Sequence, residues 1–111
     1  MNLEFCKKGN ILIITLCGEL DHNSAEEVRV RVDDRIDRDN IKKAVLDFSR
    51  VTFMDSSGIG AVLGRYKKLS NKGGMLCIAM PNKNVSRIFE LAGLYKIIKN
   101  YDTVDEAVRC I

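Results

Sequence analysis

An acid, two serines and a glycine, Asp55-Ser56-Ser57-Gly58, stand directly ahead of an apolar stretch in "FMDSSGIGAVLGRYKK". Three kinds of chemistry fit such a run: a helix cap, a nucleophilic serine, or a serine that carries a phosphate. A cap is the simplest. Serine and aspartate oxygens accept hydrogen bonds from the unpaired amides of a first helical turn, worth about 1 kcal/mol. One cap needs only one residue, however, and here three polar residues occur together. Gly58 and Gly60 add to the puzzle, because a glycine in a helix costs roughly 0.8–1 kcal/mol against alanine. Bare backbone at this point lets another chain or a phosphate approach closely.

A nucleophile needs a base within hydrogen-bond reach. His22 is the only histidine, and the G-x-S-x-G pattern of a nucleophile elbow is absent. The P-loop pattern fails as well, since Gly60 is followed by Ala61 and Val62, and Gly64 by Arg65 and Tyr66. A phosphoacceptor fits better. A serine at a helix start points outward, and its phosphate, of roughly −1.5 to −2 charges, is tolerated by free amides and the positive helix end. The domain would keep its fold while its surface changed. The alternative of a different class is a stand-alone α/β module that binds a small anion or nucleotide at the Ser56–Gly60 amides.

The elements that must position these residues are legible in outline. "LEFCKKGNILIITLC" reads as two strands joined by a tight turn at Gly9-Asn10. The almost wholly apolar run from Ile11 to Cys17 suits a strand covered on both faces. Ser24-Ala-Glu-Glu27 fits a capping box, with Ser24 the cap, ahead of Ala25, Val28, Val32 and Ile36 at helical spacing. "KAVLDF" is a buried strand, and "SRVTFMD" leads from it into the serine motif. Ile59, Val62, Leu63, Tyr66 and Leu69 share one helical face, from a start near Ser57 to a stop at Asn71-Lys-Gly-Gly74. Val62, Leu63 and Tyr66 are expected under the sheet, with Arg65, Lys67 and Lys68 in water. "MLCIAM" is the next strand. A short helix follows Asn84 and stops at Gly93, "YKII" reads as a last strand, and Thr103 to Glu106 repeats the capping-box pattern before a terminal helix. Alternation of strands and helices implies right-handed crossovers and a mostly parallel sheet, with the first strand antiparallel to the second. Strand order does not follow from this pattern.

The 111 residues suffice for one domain, spanning 1–111, with a core that needs no staples. The net charge of +3 is small and its charges are mixed, without the basic block that nucleic-acid binding would ask for. No apolar run reaches the roughly 18 residues of a membrane span, and the charged N-terminus is no signal peptide. Cys6, Cys17, Cys77 and Cys110 are widely spaced and read as buried thiols of a reducing cytosol. With one histidine and no ligand spacing, no metal is expected.

Three separated motifs, "GELDHNSAEEVR", "VLDFSRVTFMDSSGIGAVLGRYKK" and "RIFELAGLYKII", carry a resemblance that spans nearly the whole chain. It resembles the STAS-domain anti-sigma factor antagonists of Gram-positive spore formers, closest to the sporulation type. The resemblance implies one compact α/β domain, a mixed, mostly parallel sheet of four to five strands with about four helices. It implies a cytoplasmic binding protein without a cofactor and without enzymatic activity. Its partner would be an anti-sigma factor that is also a serine kinase. The unphosphorylated form would bind that partner and release the sigma factor, phosphorylation of the second serine would end binding, and a PP2C-type phosphatase would restore it. Carried onto this chain, the acceptor is Ser57. Asp55, Ser56, Gly58 and Gly60 would shape the partner-binding loop, and Asp21 would match the acid that lies beside the acceptor. Ser56 is then the expected cap or loop-bonding residue.

Overall fold

The computed structural model describes residues 1–111. Five strands, β1 (Asn2–Lys8), β2 (Ile11–Leu20), β3 (Lys43–Met54), β4 (Met75–Ala79) and β5 (Asn100–Tyr101), form one sheet in the order β1-β2-β3-β4-β5. Four helices, α1 (His22–Arg38), α2 (Ser56–Asn71), α3 (Lys83–Leu91) and α4 (Val104–Cys110), alternate with them. The β1–β2 pair is antiparallel and every other pair is parallel. The hairpin turn falls at Gly9-Asn10 as expected, with Gly9 at φ 62°.

Because spatial order follows chain order, every right-handed crossover moves the same way and places its helix on the same face. The burial pattern agrees. Leu12, Ala44 and Leu76 are register partners, as are Ile14, Leu46 and Ile78. These rows lie beneath α1, α2 and α3 in a core of 23 buried residues. The intervening row, Ile13, Val45 and Cys77, faces the other way into a cluster of 6 that α4 covers through Ala107. The long apolar strand β2 is therefore buried on both faces, as its composition requires.

Three elements differ from the sequence reading. β3 does not stop at Phe48 but continues through Ser49–Met54. Two register irregularities against β2, between Thr15 and Cys17 and between Gly18 and Glu19, give it the extra residues of β-bulges. They turn the two-residue alternation into one buried residue in three, Phe48, Val51 and Met54. The expected strand "YKII" is a 3-10 turn over Leu94–Lys96, and the last strand lies just beyond it. Gly93, at φ 74°, opens this turn, and its buried residues Leu94 and Ile98 lie four apart, a helical rather than a strand spacing. The α3 cap is Asn82, whose side chain accepts from the Val85 amide, two residues earlier than Asn84.

The end of α2 matches expectation. Gly73, at φ 74°, follows the Lys72 cap, and the Gly74 and Gly73 amides donate to Leu69 and Ser70 at 2.8 and 3.0 Å, a Schellman closure. The Thr103 hydroxyl caps α4 by accepting from Glu106. The cysteines follow expectation only in part. Cys77 is buried, and burial pushes its thiol up to about 12, whereas Cys17 is half-buried and Cys6 and Cys110 are exposed. No helix is long and apolar enough to cross a membrane.

Candidate functional site

β2 and β3 end in register at Leu20 and Met54, and the chain leaves each strand through an aspartate that caps a helix. The Asp55 amide donates to the Leu20 carbonyl at 3.2 Å and ties the two exits together. Asp21 and Asp55 therefore stand at neighbouring strand ends, and α1 and α2 start beside one another.

At the first of these starts the cap is Asp21, not Ser24. Its carboxylate accepts from the Asn23 and Ser24 amides, both at 3.0 Å. Ser24 serves as the third residue of the capping box: its hydroxyl accepts from the Asp21 amide at 2.9 Å and donates to the Glu19 carbonyl at 2.7 Å. The expected box from Ser24 to Glu27 is thus shifted by one unit of the same pattern. The amide of Ser24, first among several hydrogen bonds, holds the Asp21 carboxyl below its ordinary value.

At the second start the cap is Asp55, whose carboxylate accepts from the Ser57 amide at 2.8 Å. Ser56 is not the cap; it is the first helical residue and is exposed. Ser57 is half-buried. Gly58 is fully inside, and its role is internal. A Cβ there would lie 2.4 Å from Met54 Cγ and 3.2 Å from Leu20 Cδ2, so the bare backbone lets the helix start sit on its own strand ends. Gly60 differs: a Cβ there would meet nothing within 4 Å, and Gly60 lines an open groove with Ser57.

That groove, of about 290 Å³, lies between the first turns of α1 and α2 and is lined by His22, Glu26, Arg29, Ser57, Gly60 and Arg65. Beneath it the seam between the helices is ionic. Arg65 was expected in water but is only 6% exposed. Its Nη1 donates to the Ala61 carbonyl at 3.0 Å and its Nη2 to Asp33 Oδ2 at 3.3 Å. Arg65 Nε also lies 2.8 Å from Asp33 Oδ1, without the alignment of a hydrogen bond. Burial pushes the guanidinium below its ordinary value, and Asp33 opposes the shift. One turn on, Lys68 reaches Asp37 at 3.0 Å. Leu63 and Tyr66, expected under the sheet, are half-buried, while Val62 is buried and Lys67 is exposed. The inward line of α2 is Gly58, Ala61, Arg65 and Leu69 with Val62. Arg65 falls on that line by spacing alone, which is the signal that the sequence reading passed over.

The anion-binding alternative loses two of its donors here. The Ser57 amide is occupied by Asp55, and the Gly58 amide donates to the Asp55 carbonyl at 3.0 Å. No cluster of three or more metal-ligating side chains is present.

Comparison with known proteins adds a consistent set of likenesses. The family model described as STAS domain matches residues 2–107. An anti-sigma F factor antagonist of Paenibacillus polymyxa is 39% identical over 102 residues, covering 92% of this chain and 87% of the relative. The anti-sigma factor antagonist SpoIIAA in its unphosphorylated form superimposes with a TM-score of 0.84 at 32% identity, covering 99% of this chain and 98% of its own. The Bacillus cell fate determinant SpoIIAA in its phosphorylated form gives a TM-score of 0.76 at 29% identity, covering 97% of each chain.

Proposed function

The chain belongs to the STAS-domain family, and on that premise we propose that it is an anti-sigma factor antagonist switched by phosphorylation of Ser57. The unmodified domain binds an anti-sigma factor that is also a serine kinase, and so releases the sigma factor. Transfer of phosphate from ATP to Ser57 ends binding, and a PP2C-type phosphatase restores it. The protein acts in the cytoplasm by occupying a partner. It contacts no nucleic acid itself, carries out no catalysis and needs no cofactor.

The observation that carries this reading is the pairing of two capped helix starts at the ends of β2 and β3. Asp21, Asp55, Ser56 and Ser57 stand at those two starts, with Gly58 holding the second start down on the core. A site of this kind suits a macromolecular partner. The relatives' names and the existence of a neighbour in phosphorylated and unphosphorylated forms support the same reading. Asp55 already caps the helix, so a phosphate on Ser57 has no need to rebuild it, and the switch acts at the interface. A partner surface that meets a neutral serine would face a dianion beside two carboxylates. Removing such a charge from water without a matching cation on the partner costs several kcal/mol, against about 8 kcal/mol for a micromolar complex.

Intact-mass measurement after incubation with the cognate kinase and ATP tests the proposal, with peptide mapping to place the group. One added phosphate on Ser57 is expected, and none on Ser57→Ala, which should stay folded and bind the anti-sigma factor whether or not ATP is present. Ser57→Asp should weaken binding in part and leave the amide-exchange pattern of the free domain unchanged. A phosphate on Ser56, or loss of exchange protection across the sheet, overturns the assignment.

A further inference from the structure

A phosphate on Ser57 would find only part of the support that a helix start usually lends an anion. The Ser57 and Gly58 amides are both taken by Asp55, and Asp21 and Asp55 already bring negative charge to the two helix starts. On its own helix the nearest cation lining the groove is Arg65, two turns on, and it is buried and bound to Asp33 and the Ala61 carbonyl. A different cation lines the same groove from α1. Arg29 is paired with Glu26 alone, through Nε at 3.0 Å to Oε2 and through a second contact from Nη2 to Oε1. Its side chain is 51% exposed, so it can turn without disturbing the core.

Resting on the reading of Ser57 as the acceptor, we infer that Arg29 is the residue that holds the phosphate, clasping it across the α1–α2 groove within the same domain. A guanidinium has five N–H donors in a fixed fork. Glu26 engages the Nε and one terminal nitrogen, and the rest of the fork is free for phosphate oxygens. A phosphate dianion attracts that fork more strongly than a single carboxylate, and its geometry suits bidentate contact. His22, Glu26 and Arg29 face the groove from α1, and Ser57 and Arg65 from α2, with Asp21 and Asp55 as the caps of the two helices. Arg29 is the one arginine among these whose partners leave it mobile. Phosphorylation then changes the surface twice: it adds a charge at Ser57 and draws Arg29 toward it.

The test places phosphoserine at position 57 by genetic encoding, so that no kinase is needed, and follows its second ionisation by phosphorus NMR. In the otherwise unchanged chain the midpoint should lie below that of Arg29→Gln by about one pH unit, as an adjacent cation favours the dianion. Glu26→Gln, which frees the whole fork, should lower it further. Arg31→Gln, on a residue paired with Glu27 and not lining the groove, should change nothing. The Arg29 Nε resonance should move with the phosphate's ionisation. Equal midpoints with and without Arg29, or an Arg29 effect that disappears in His22→Gln, overturn the clasp. Those outcomes leave the switch standing, whereas a kinase that fails to label Ser57 in the native chain removes the switch and leaves the clasp measurable.

Discussion

In the first turn of α1, the Asp21 carboxylate accepts from two amides and the buried Ser24 hydroxyl closes the box back onto the strand. In the first turn of α2, Asp55 accepts from one amide, and the position equivalent to Ser24 is held by Gly58. The middle position is an exposed asparagine in the first and a half-buried serine in the second. Both starts thus obey the same rule, a carboxylate over orphan amides, but they close differently. α1 is locked by a side-chain network. α2 is pressed down on Met54 and Leu20 by the absence of a side chain, which brings Ser57 against the neighbouring helix. A fully closed box leaves nothing to modify, and the simpler start leaves a hydroxyl at a groove.

The two starts share one seam, and the largest expected effect comes from breaking it. Arg65→Ala should lower stability by about 3 kcal/mol in denaturant melts, since it strands Asp33 with its charge partly buried. Arg65→Met, with Asp33→Leu beside it, should recover most of that loss. A loss under 1 kcal/mol for Arg65→Ala would mean that the seam is solvated and the two starts are independent.

Gly58→Ala comes next. Crowding Met54 and Leu20 should destabilise by about 1–3 kcal/mol, offset in part by alanine's better helix propensity. Gly60→Ala, with open space around it, should stabilise slightly. The opposite signs two residues apart check the claim that Gly58 serves packing and Gly60 the groove.

The caps themselves give the third contrast. Asp55→Ala should cost about 1 kcal/mol, and Asp21→Ala should lower the melting temperature further, because it removes two amide partners instead of one. The smallest effect is in pH. The Ser24 amide holds the Asp21 carboxyl below its ordinary value in the folded chain, and Arg35 does the same for Asp39. Their contribution is present above the unfolded value and is lost as the pH falls through the lower folded values. Asp21→Asn should flatten the acid limb of a stability profile, below the ordinary carboxylate range, and leave the neutral region parallel to wild type.

The elements legible in the sequence were those with one dominant period. β2 and the inward stripe of α1 follow from apolar spacing, and the α2 stop follows from Gly73-Gly74. The continuation of β3 was hidden because two bulges replace alternation with one buried residue in three. The turn at Leu94 was hidden because "YKII" has strand-like residues in a helical spacing. At the site, the position of Asp55, Ser56 and Ser57 ahead of a helix was readable, but the choice of cap was not. Aspartate and serine cap almost equally well, and only the strand ends decide which residue reaches the first free amide. Arg65 escaped because a charge was assumed to seek water, although its spacing set it on the buried line.

The match of spatial order to chain order also governs how the domain can be made. Each strand pairs with the one synthesised just before it, so a chain growing from its N-terminus never waits for a partner still to come. The β1–β2 hairpin offers the first template, and each helix-and-strand unit adds to its free edge. The two-residue β5 is then the last piece laid down and the first to fray, which places the most labile amides of the sheet at the edge farthest from the β1–β2 hairpin.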